Sequence, residues 1–494
     1  MSSMTKSNYS STKTALLLLV FLLIVAEQSQ AQSSSNSAES PSHSRNEANS
    51  LTWCVESLYH VDHGVQGAAS CATSSCHGGP KAGVSSSEAP RGSEYPLWLE
   101  KDPHAQSWKT ISSEASVKIL SKLGILKNGK IANVSGFQNC LACHNTDRNI
   151  TETQLSPQIA EGVGCESCHG PSQHWYGSHY QGIASKTNAI QNLGLTDSGP
   201  LLPRAKICVT CHVGGKDRDM NHDIIAAGHP ALYFDMAVYH EAYPKHWRDK
   251  DQKQPNFRAQ LWLAGKIASA DAELELLEAR ALKSLPISVW PELSNYQCNS
   301  CHVSLNGLLQ PAGELNRDFL IRGRAPIRNW NFAGMDSLSI SSDLEESDLR
   351  DTLDKLRKML QSPNPDGKLV AATSQQLRLL WSETWTENGK PKLPDWSRQS
   401  QSALSIELLR DTKRSNSWES AAGAYTTIWA THPVSSSGKF EAAMSTMREG
   451  LLYPKDLMIP NFPRQKNAKS PPTLEEWNAS LHQVSESLEN HGHR

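Results

Sequence analysis

The sequence has no block of like charge: 48 basic residues are balanced by 50 acidic ones along the chain. Proteins that bind nucleic acid or acidic membrane surfaces carry basic patches, so no nucleic-acid partner is expected. Long apolar runs are also absent except for one near the N-terminus, so we expect no membrane span in the mature chain. Cysteine is absent after Cys301. Whatever chemistry the cysteines perform is therefore confined to the first 301 residues.

The apolar run near the N-terminus has the layout of a secretory signal peptide. Lys6 and Lys13 supply positive charge, residues 15–26 are apolar, and small residues at positions 29 and 31 fit a signal-peptidase site. A membrane anchor is the alternative, but this run is shorter than the about 20 residues that cross a bilayer. The sequence therefore predicts cleavage after Ala31 and export of the mature protein to the periplasm.

Ten of the 11 cysteines fall into five pairs, and each pair is followed directly by a histidine. The first motif has the spacing Cys-x4-Cys-His and the other four have Cys-x-x-Cys-His. The five motifs are Cys71, Cys76 and His77; Cys140, Cys143 and His144; Cys165, Cys168 and His169; Cys208, Cys211 and His212; and Cys298, Cys301 and His302.

This spacing is the one that attaches haem c. Two thiols add to the two vinyl groups of the haem, and the adjacent histidine binds the iron as its proximal ligand. Structural zinc sites also use Cys-x-x-Cys pairs, but they need two pairs per metal and have no use for a histidine after each pair. The sequence therefore predicts five covalently bound haem c groups.

The wider first motif has two interpretations. Both Cys71 and Cys76 can hold the haem, as in known variants of the spacing. Alternatively, Cys76 holds it alone, Thr73 stands where the other cysteine normally is, and Cys71 pairs with Cys54. We favour double attachment, because Cys54 lies well upstream and has no motif of its own.

Each iron also has a second axial position. A second histidine there closes the coordination shell, which suits electron transfer, whereas an open position permits chemistry at the iron. The best-placed candidates for this distal position are His104, His174, His222 and His229. Five further histidines are reserve candidates: His60, His63, His179, His240 and His246. For any one of these five, an ordinary hydrogen-bonded histidine is the more common outcome.

Several of these histidines lie in segments that resemble the cytochrome c-554 family. Residues 162–171 (GVGCESCHGP), followed by His174, are similar to that family's third haem segment. Trp98 with the Pro-His-Ala sequence around His104 resembles its helix with a distal histidine. Residues 221–230 (NHDIIAAGHP) resemble a segment of larger multihaem members. The likeness covers roughly residues 70–335. It implies a mainly α fold with haems in near contact, and distal roles for His104, His174, His222 and His229.

The expected fold is mainly α, in four parts. Residues 1–31 are the signal peptide and residues 32–50, rich in Ser, Asn and Glu, a disordered linker. Residues 51–335 form a pentahaem cytochrome c domain with long loops. Residues 336–494 form a helical C-terminal domain without haem. Helical periodicity predicts helices at 257–285, around 344–360, at 375–385 and at 418–447.

Three classes of function fit these features. The first is an electron carrier with all five haems closed by histidine, serving redox partner proteins. The second is an oxidoreductase with one open haem that acts on a small nitrogen or sulfur oxyanion. The third is a haem subunit docked to a redox complex. The supply of distal histidines favours the carrier, and whether the protein is also an enzyme is left open by the sequence.

Overall fold

The structure is a computed structural model. It describes residues 64–79, 92–147, 161–183, 185–254, 256–285, 289–297, 325, 327–333, 347–387, 390–391, 418–432 and parts of 441–448. The predicted signal peptide, the linker, Cys54, His60, His63 and the fifth motif (Cys298, Cys301 and His302) lie outside the described residues.

The described part of the chain is mainly helical, as predicted. Two antiparallel strand pairs, β1 (Leu126–Lys127) with β2 (Lys130–Ile131) and β3 (Thr386–Glu387) with β4 (Lys390–Pro391), are its sheet structure. The α-helices are α1 Glu94–Lys101, α2 Ser107–Ile111, α3 Glu114–Lys122, α4 Val134–His144, α5 Glu166–His169, α6 Tyr176–Gln181, α7 Lys186–Asn192, α8 Leu201–His212, α9 His222–Ala227, α10 Met236–Ala242, α11 Phe257–Ala281, α12 Ser347–Leu360, α13 Gly367–Trp385 and α14 Trp418–Thr431.

The long helix α11 lies at the centre of the main hydrophobic core. Its residues are buried on nearly every face, including Trp262 and Leu274, which have no exposed side-chain surface. Helices α8, α10, α12, α13 and α14 all contribute to this core. Gly265 allows the close approach of α10, because a Cβ there would collide with the Cβ of Met236. A helix that is apolar all round is stable only when neighbours cover it on all sides.

Of the helices predicted after residue 336, α13 and α14 pack against α11, and α12 packs against α13. The helix predicted around 344–360 is α12, and the one predicted at 375–385 is longer and begins at Gly367. Asp366 caps α13 by accepting a hydrogen bond from the amide of Lys368 at 2.9 Å, which explains the earlier start. The helix predicted from 418 is described as Trp418–Thr431.

Helix α11 ends four residues before its predicted end. The helical pattern continues to Leu285, but Lys283 has a positive φ of 54° and the amide of Ser284 donates to the carbonyl of Ala279 at 3.0 Å. A left-handed residue followed by such a bond is a common way to close a helix. Among the described residues, no helix is long and apolar enough to cross a membrane.

Candidate cofactor site

Three motifs lie in the last turns of helices. Helices α4, α5 and α8 end at His144, His169 and His212, the histidines of the second, third and fourth motifs. Within each motif the two cysteines are three residues apart, and residues three apart on a helix are neighbours on one face. The helical turn therefore presents two thiols and one imidazole together.

The first motif reaches a similar arrangement with two extra residues. A 3-10 helix, Ala68–Cys71, is followed by a separate turn in which the amide of Cys76 donates to the carbonyl of Thr73 at 2.9 Å. The third motif has the equivalent bond between the amide of Cys168 and the carbonyl of Cys165, at 3.2 Å. Thus the turn that precedes the histidine begins at Thr73, and Cys71 lies just outside it.

Two carboxylates fasten the first motif to the third. The side chain of Glu166 is buried inside the third motif and accepts hydrogen bonds from the amides of Gly67 (2.8 Å) and Ser172 (2.7 Å). Glu161 accepts from the amide of Ala68 at 2.5 Å. Bonds from a backbone amide to a carboxylate are stronger than neutral ones. These two residues were not singled out from the sequence, where each is an ordinary acidic residue.

All four described motifs line one continuous cavity. Its volume is about 3310 Å³, whereas a small-molecule site usually occupies about 300–1,000 Å³. The cavity wall includes every cysteine of these motifs, Cys71 and Cys76 among them. The space is therefore large enough for several cofactors in contact.

Across this cavity, each histidine of the four described motifs faces a second histidine at nearly the same separation. A metal held about 2 Å from one nitrogen of each ring, with each ring centre about 1.1 Å further away, separates the centres by about 6.2 Å. The observed centroid separations are 6.2 Å for His77 with His179, 6.1 Å for His212 with His104, 6.2 Å for His144 with His229 and 6.2 Å for His169 with His246.

These pairs include only part of the distal set expected from the sequence. His104 and His229 were among the best-placed candidates, whereas His179 and His246 come from the reserve. His174 precedes the helix that carries His179, and His222 begins α9; neither belongs to the four pairs. The residues brought together by the fold are therefore four motif histidines and four others, and they fit iron ions that are closed on both sides.

Residues 70–170 match the sequence profile of a known family, described as cytochrome c554 and c-prime. The resemblance to the cytochrome c-554 family is confirmed. The match spans the first three motifs and supports a haem-containing electron-transfer cytochrome, with haem c as its cofactor and redox proteins as its partners. No curated protein and no solved structure matches the chain.

In three of the paired rings, Nδ1 lies within hydrogen-bond distance of a carboxylate or carbonyl oxygen. Nδ1 of His104 lies 2.9 Å from Asp102 Oδ1, and Nδ1 of His229 lies 2.9 Å from the carbonyl of Pro230. Nδ1 of His77 lies 3.0 Å from Glu94 Oε2. Metal-binding histidines normally donate their other ring nitrogen to such an acceptor, which fixes the tautomer and the ring orientation.

Burial keeps most of the paired rings neutral, the form in which imidazole binds a metal. Burial lowers the pKa of His144, His169 and His212 to about 4. The partner rings of His229 and His246 lower the pKa of His144 and His169 further. At neutral pH the rings of these three motif histidines therefore carry a free lone pair.

Contacts between motifs show which of them are neighbours. A hydrogen bond between the thiols of Cys71 and Cys165 joins the first motif to the third and lowers the pKa of Cys71. The third motif lies beside the fourth, where burial and the nearby thiol of Cys208 raise the pKa of Cys168 to about 12. The first, third and fourth motifs therefore follow one another.

The fourth motif is in turn the neighbour of the second. The sulfur of Cys211 lies 4.0 Å from the carbonyl oxygen of Ala142, which is inside the second motif. Arg218, in the loop after α8, donates from Nε to the same carbonyl at 2.8 Å. The four described motifs thus lie in the order first, third, fourth, second.

The three reserve histidines that the structure describes, His179, His240 and His246, all have aromatic neighbours. His179 lies one helical turn after Trp175, with ring centroids 5.8 Å apart, and His246 contacts Trp247 at 5.1 Å. His240 contacts Trp247 and Phe257, each at 5.9 Å between ring centroids, but its buried Nε2 lies 2.9 Å from Asp249. Aromatic residues beside a histidine were the available sequence signal, but they do not show which histidine meets which motif.

Proposed function

We propose that the protein is an exported electron carrier that binds five haem c groups, each closed by two histidines. The observation that carries this proposal is the common spacing of the four histidine pairs across one cavity. The size of the cavity, the thiols along its wall and the neutral state of the buried rings also fit haem. When bound, haem supplies reversible one-electron exchange at its iron.

In this proposal the chain's own residues bind, orient and enclose the cofactors. The cysteines of each motif provide the thioether links, including Cys71 and Cys76, which both line the cavity. The proximal ligands are His77, His144, His169, His212 and His302. The distal ligand is His179 for the first motif and His229 for the second. It is His246 for the third motif and His104 for the fourth. Electron carriage follows the spatial order of the motifs.

For the fifth motif we propose His222 as the distal ligand. Its backbone amide donates to Glu292 Oε1 at 2.8 Å, and Glu292 precedes Cys298 by only a few residues in the chain. A nearby ion pair strengthens this arrangement, since Arg280 Nη2 lies 2.6 Å from Asp219 Oδ1. His222 is therefore held close to the segment that leads into the fifth motif.

Export belongs to the same proposal. Haem c is attached outside the cytoplasm, so the motifs need the secretory signal predicted at residues 1–31 to be useful. A periplasmic electron carrier also needs protein partners that deliver and accept electrons. The two features support each other, because a protein with haem c motifs and no route of export would remain without cofactor.

The test is the spin state of the purified holoprotein. Electron paramagnetic resonance of the oxidised protein should show only low-spin ferric signals, because every iron has two imidazole ligands. His179→Ala and His246→Ala should each convert about one fifth of the haem to a high-spin form. His174→Ala is the matched comparison, since it removes the adjacent candidate from the same segment and should leave the spin state unchanged.

Two outcomes would contradict the assignment. If His174→Ala creates a high-spin haem and His179→Ala does not, His174 is the ligand of the first motif. If the unaltered protein already contains a high-spin haem that binds cyanide or nitrite, one iron is open and the carrier proposal fails in favour of an oxidoreductase.

A further inference from the structure

The four histidine pairs differ in what accepts a hydrogen bond from Nδ1. Asp102 accepts from His104 of the fourth motif's pair, and the carbonyl of Pro230 accepts from His229 of the second motif's pair. Nδ1 of His144, the other member of that second pair, is buried and has no hydrogen-bond partner among the described residues. The fourth pair thus has an anionic acceptor where the second has a neutral one.

The environment of Asp102 makes it an unusually effective acceptor. Its side chain is only 2% exposed, whereas the Glu94 side chain beside His77 is 23% exposed. Water therefore screens the charge of Asp102 much less, and charges interact more strongly at low dielectric.

Tyr243 holds this carboxylate in place. Its hydroxyl donates to Asp102 Oδ2, while Asp102 Oδ1 accepts from both Nδ1 (2.9 Å) and the backbone amide (3.0 Å) of His104. Oδ2 of Asp102 thus binds Tyr243, whereas Oδ1 binds His104. Tyr243 comes from the segment just after α10 and its ring also contacts that of His104, at 5.8 Å between centroids. The carboxylate cannot rotate away from the histidine without losing the tyrosine.

We propose that Tyr243 and Asp102 form a potential-setting pair for the iron bound by His104 and His212. A histidine that donates Nδ1–H to a carboxylate is a more basic ligand, and a more basic ligand stabilises Fe(III) over Fe(II). The midpoint potential of the fourth motif's haem therefore lies below that of the second motif's haem. The inference rests on the proposed histidine ligation, and it makes the second motif the favoured resting place of an electron shared between these two neighbours.

The experiment is a spectroelectrochemical titration of the holoprotein and three variants. Asp102→Asn keeps the shape of the side chain but removes its charge. It should raise one midpoint potential by at least about 59 mV, which corresponds to a tenfold change in the Fe(III)/Fe(II) ratio at a fixed potential. Tyr243→Phe should raise the same midpoint by a smaller amount. The low-spin signal that disappears in His104→Ala identifies the affected haem.

Tyr239→Phe is the matched control. Tyr239 lies 5.2 Å from the ring of His212, and its hydroxyl donates to the carbonyl of Tyr233 rather than to a carboxylate. Its removal should leave all midpoints unchanged. An equal shift in this control, or no shift in Asp102→Asn with all haems retained and low-spin, would overturn the proposal.

Three further results keep the inference separate from the proposed function. If Asp102→Asn loses a haem or becomes high-spin, Tyr243→Phe decides, because it retains the carboxylate: a raised midpoint supports the inference and an unchanged one overturns it. If the unaltered protein lacks low-spin haem with two histidine ligands, the proposed function itself fails. Low-spin haems with no shift in either variant refute only the potential-setting role.

Discussion

Acid should weaken the protein through one buried ion pair beside the cofactor cavity. Asp249 lies 2.7 Å from Arg204 Nη1 and 2.9 Å from His240 Nε2, and its side chain is only 4% exposed. Burial disfavours its charged form, but the hydrogen bonds from His240 and Arg204 outweigh this and lower its pKa from 3.8 to about 2. We predict that Asp249→Asn removes a pH-dependent part of the folding free energy.

The size and direction follow from the lowered pKa of Asp249. A carboxylate whose folded pKa is about 2 and whose unfolded pKa is about 3.8 contributes about 2 kcal/mol to stability at neutral pH. This contribution is complete well above the unfolded pKa and is lost as pH falls towards the folded pKa. Between pH 7 and pH 3 about 1 kcal/mol of it should disappear.

The assay is urea unfolding of the holoprotein, followed by circular dichroism at pH 7 and at pH 3. The free energy of unfolding of Asp249→Asn should be lower than that of the parent at pH 7, and this difference should shrink by about 1 kcal/mol at pH 3. Asp351→Asn, which alters an exposed carboxylate on α12, is the control and should show no such change. A parent-variant difference for Asp249→Asn that is the same at both pH values would refute the reasoning.

Two further predictions concern the first and third motifs. In the parent, digestion and mass spectrometry should find that haem blocks both Cys71 and Cys76. Cys71→Ser should shift the pyridine haemochrome band of one haem, because one thioether is lost. A Cys71 that can be alkylated in the parent would contradict double attachment. Gly170→Ala should lower the free energy of unfolding by about 1–3 kcal/mol in the same urea assay. Gly170 has a positive φ of 81°, and a Cβ there would collide with the carbonyl of Gly194. Gly177→Ala, in α6 with open space around its Cα, should be neutral or stabilising, and a similar loss there would argue against a specific effect at Gly170.

The proposed haem attachment rests on a pattern that is local in the sequence. Two cysteines and the following histidine act within one turn of chain, so their spacing alone indicates haem c. The same holds for helices with strong periodicity: the pattern from residue 257 predicted α11, and the pattern around 344–360 predicted α12. Where boundaries differ, a residue outside the apolar pattern decides, such as the Asp366 cap or the left-handed Lys283.

The four histidine pairs are visible only in the tertiary structure. His179 and His174 are near neighbours in sequence and chemically identical, and only the packing of α6 brings His179 to 6.2 Å from His77. The same applies to Asp102 and Tyr243, which meet across the fold and have no shared pattern in the chain. Local spacing specifies covalent attachment, whereas a ligand that approaches the opposite side of the metal comes from a distant segment. Its identity is therefore set by how the helices pack.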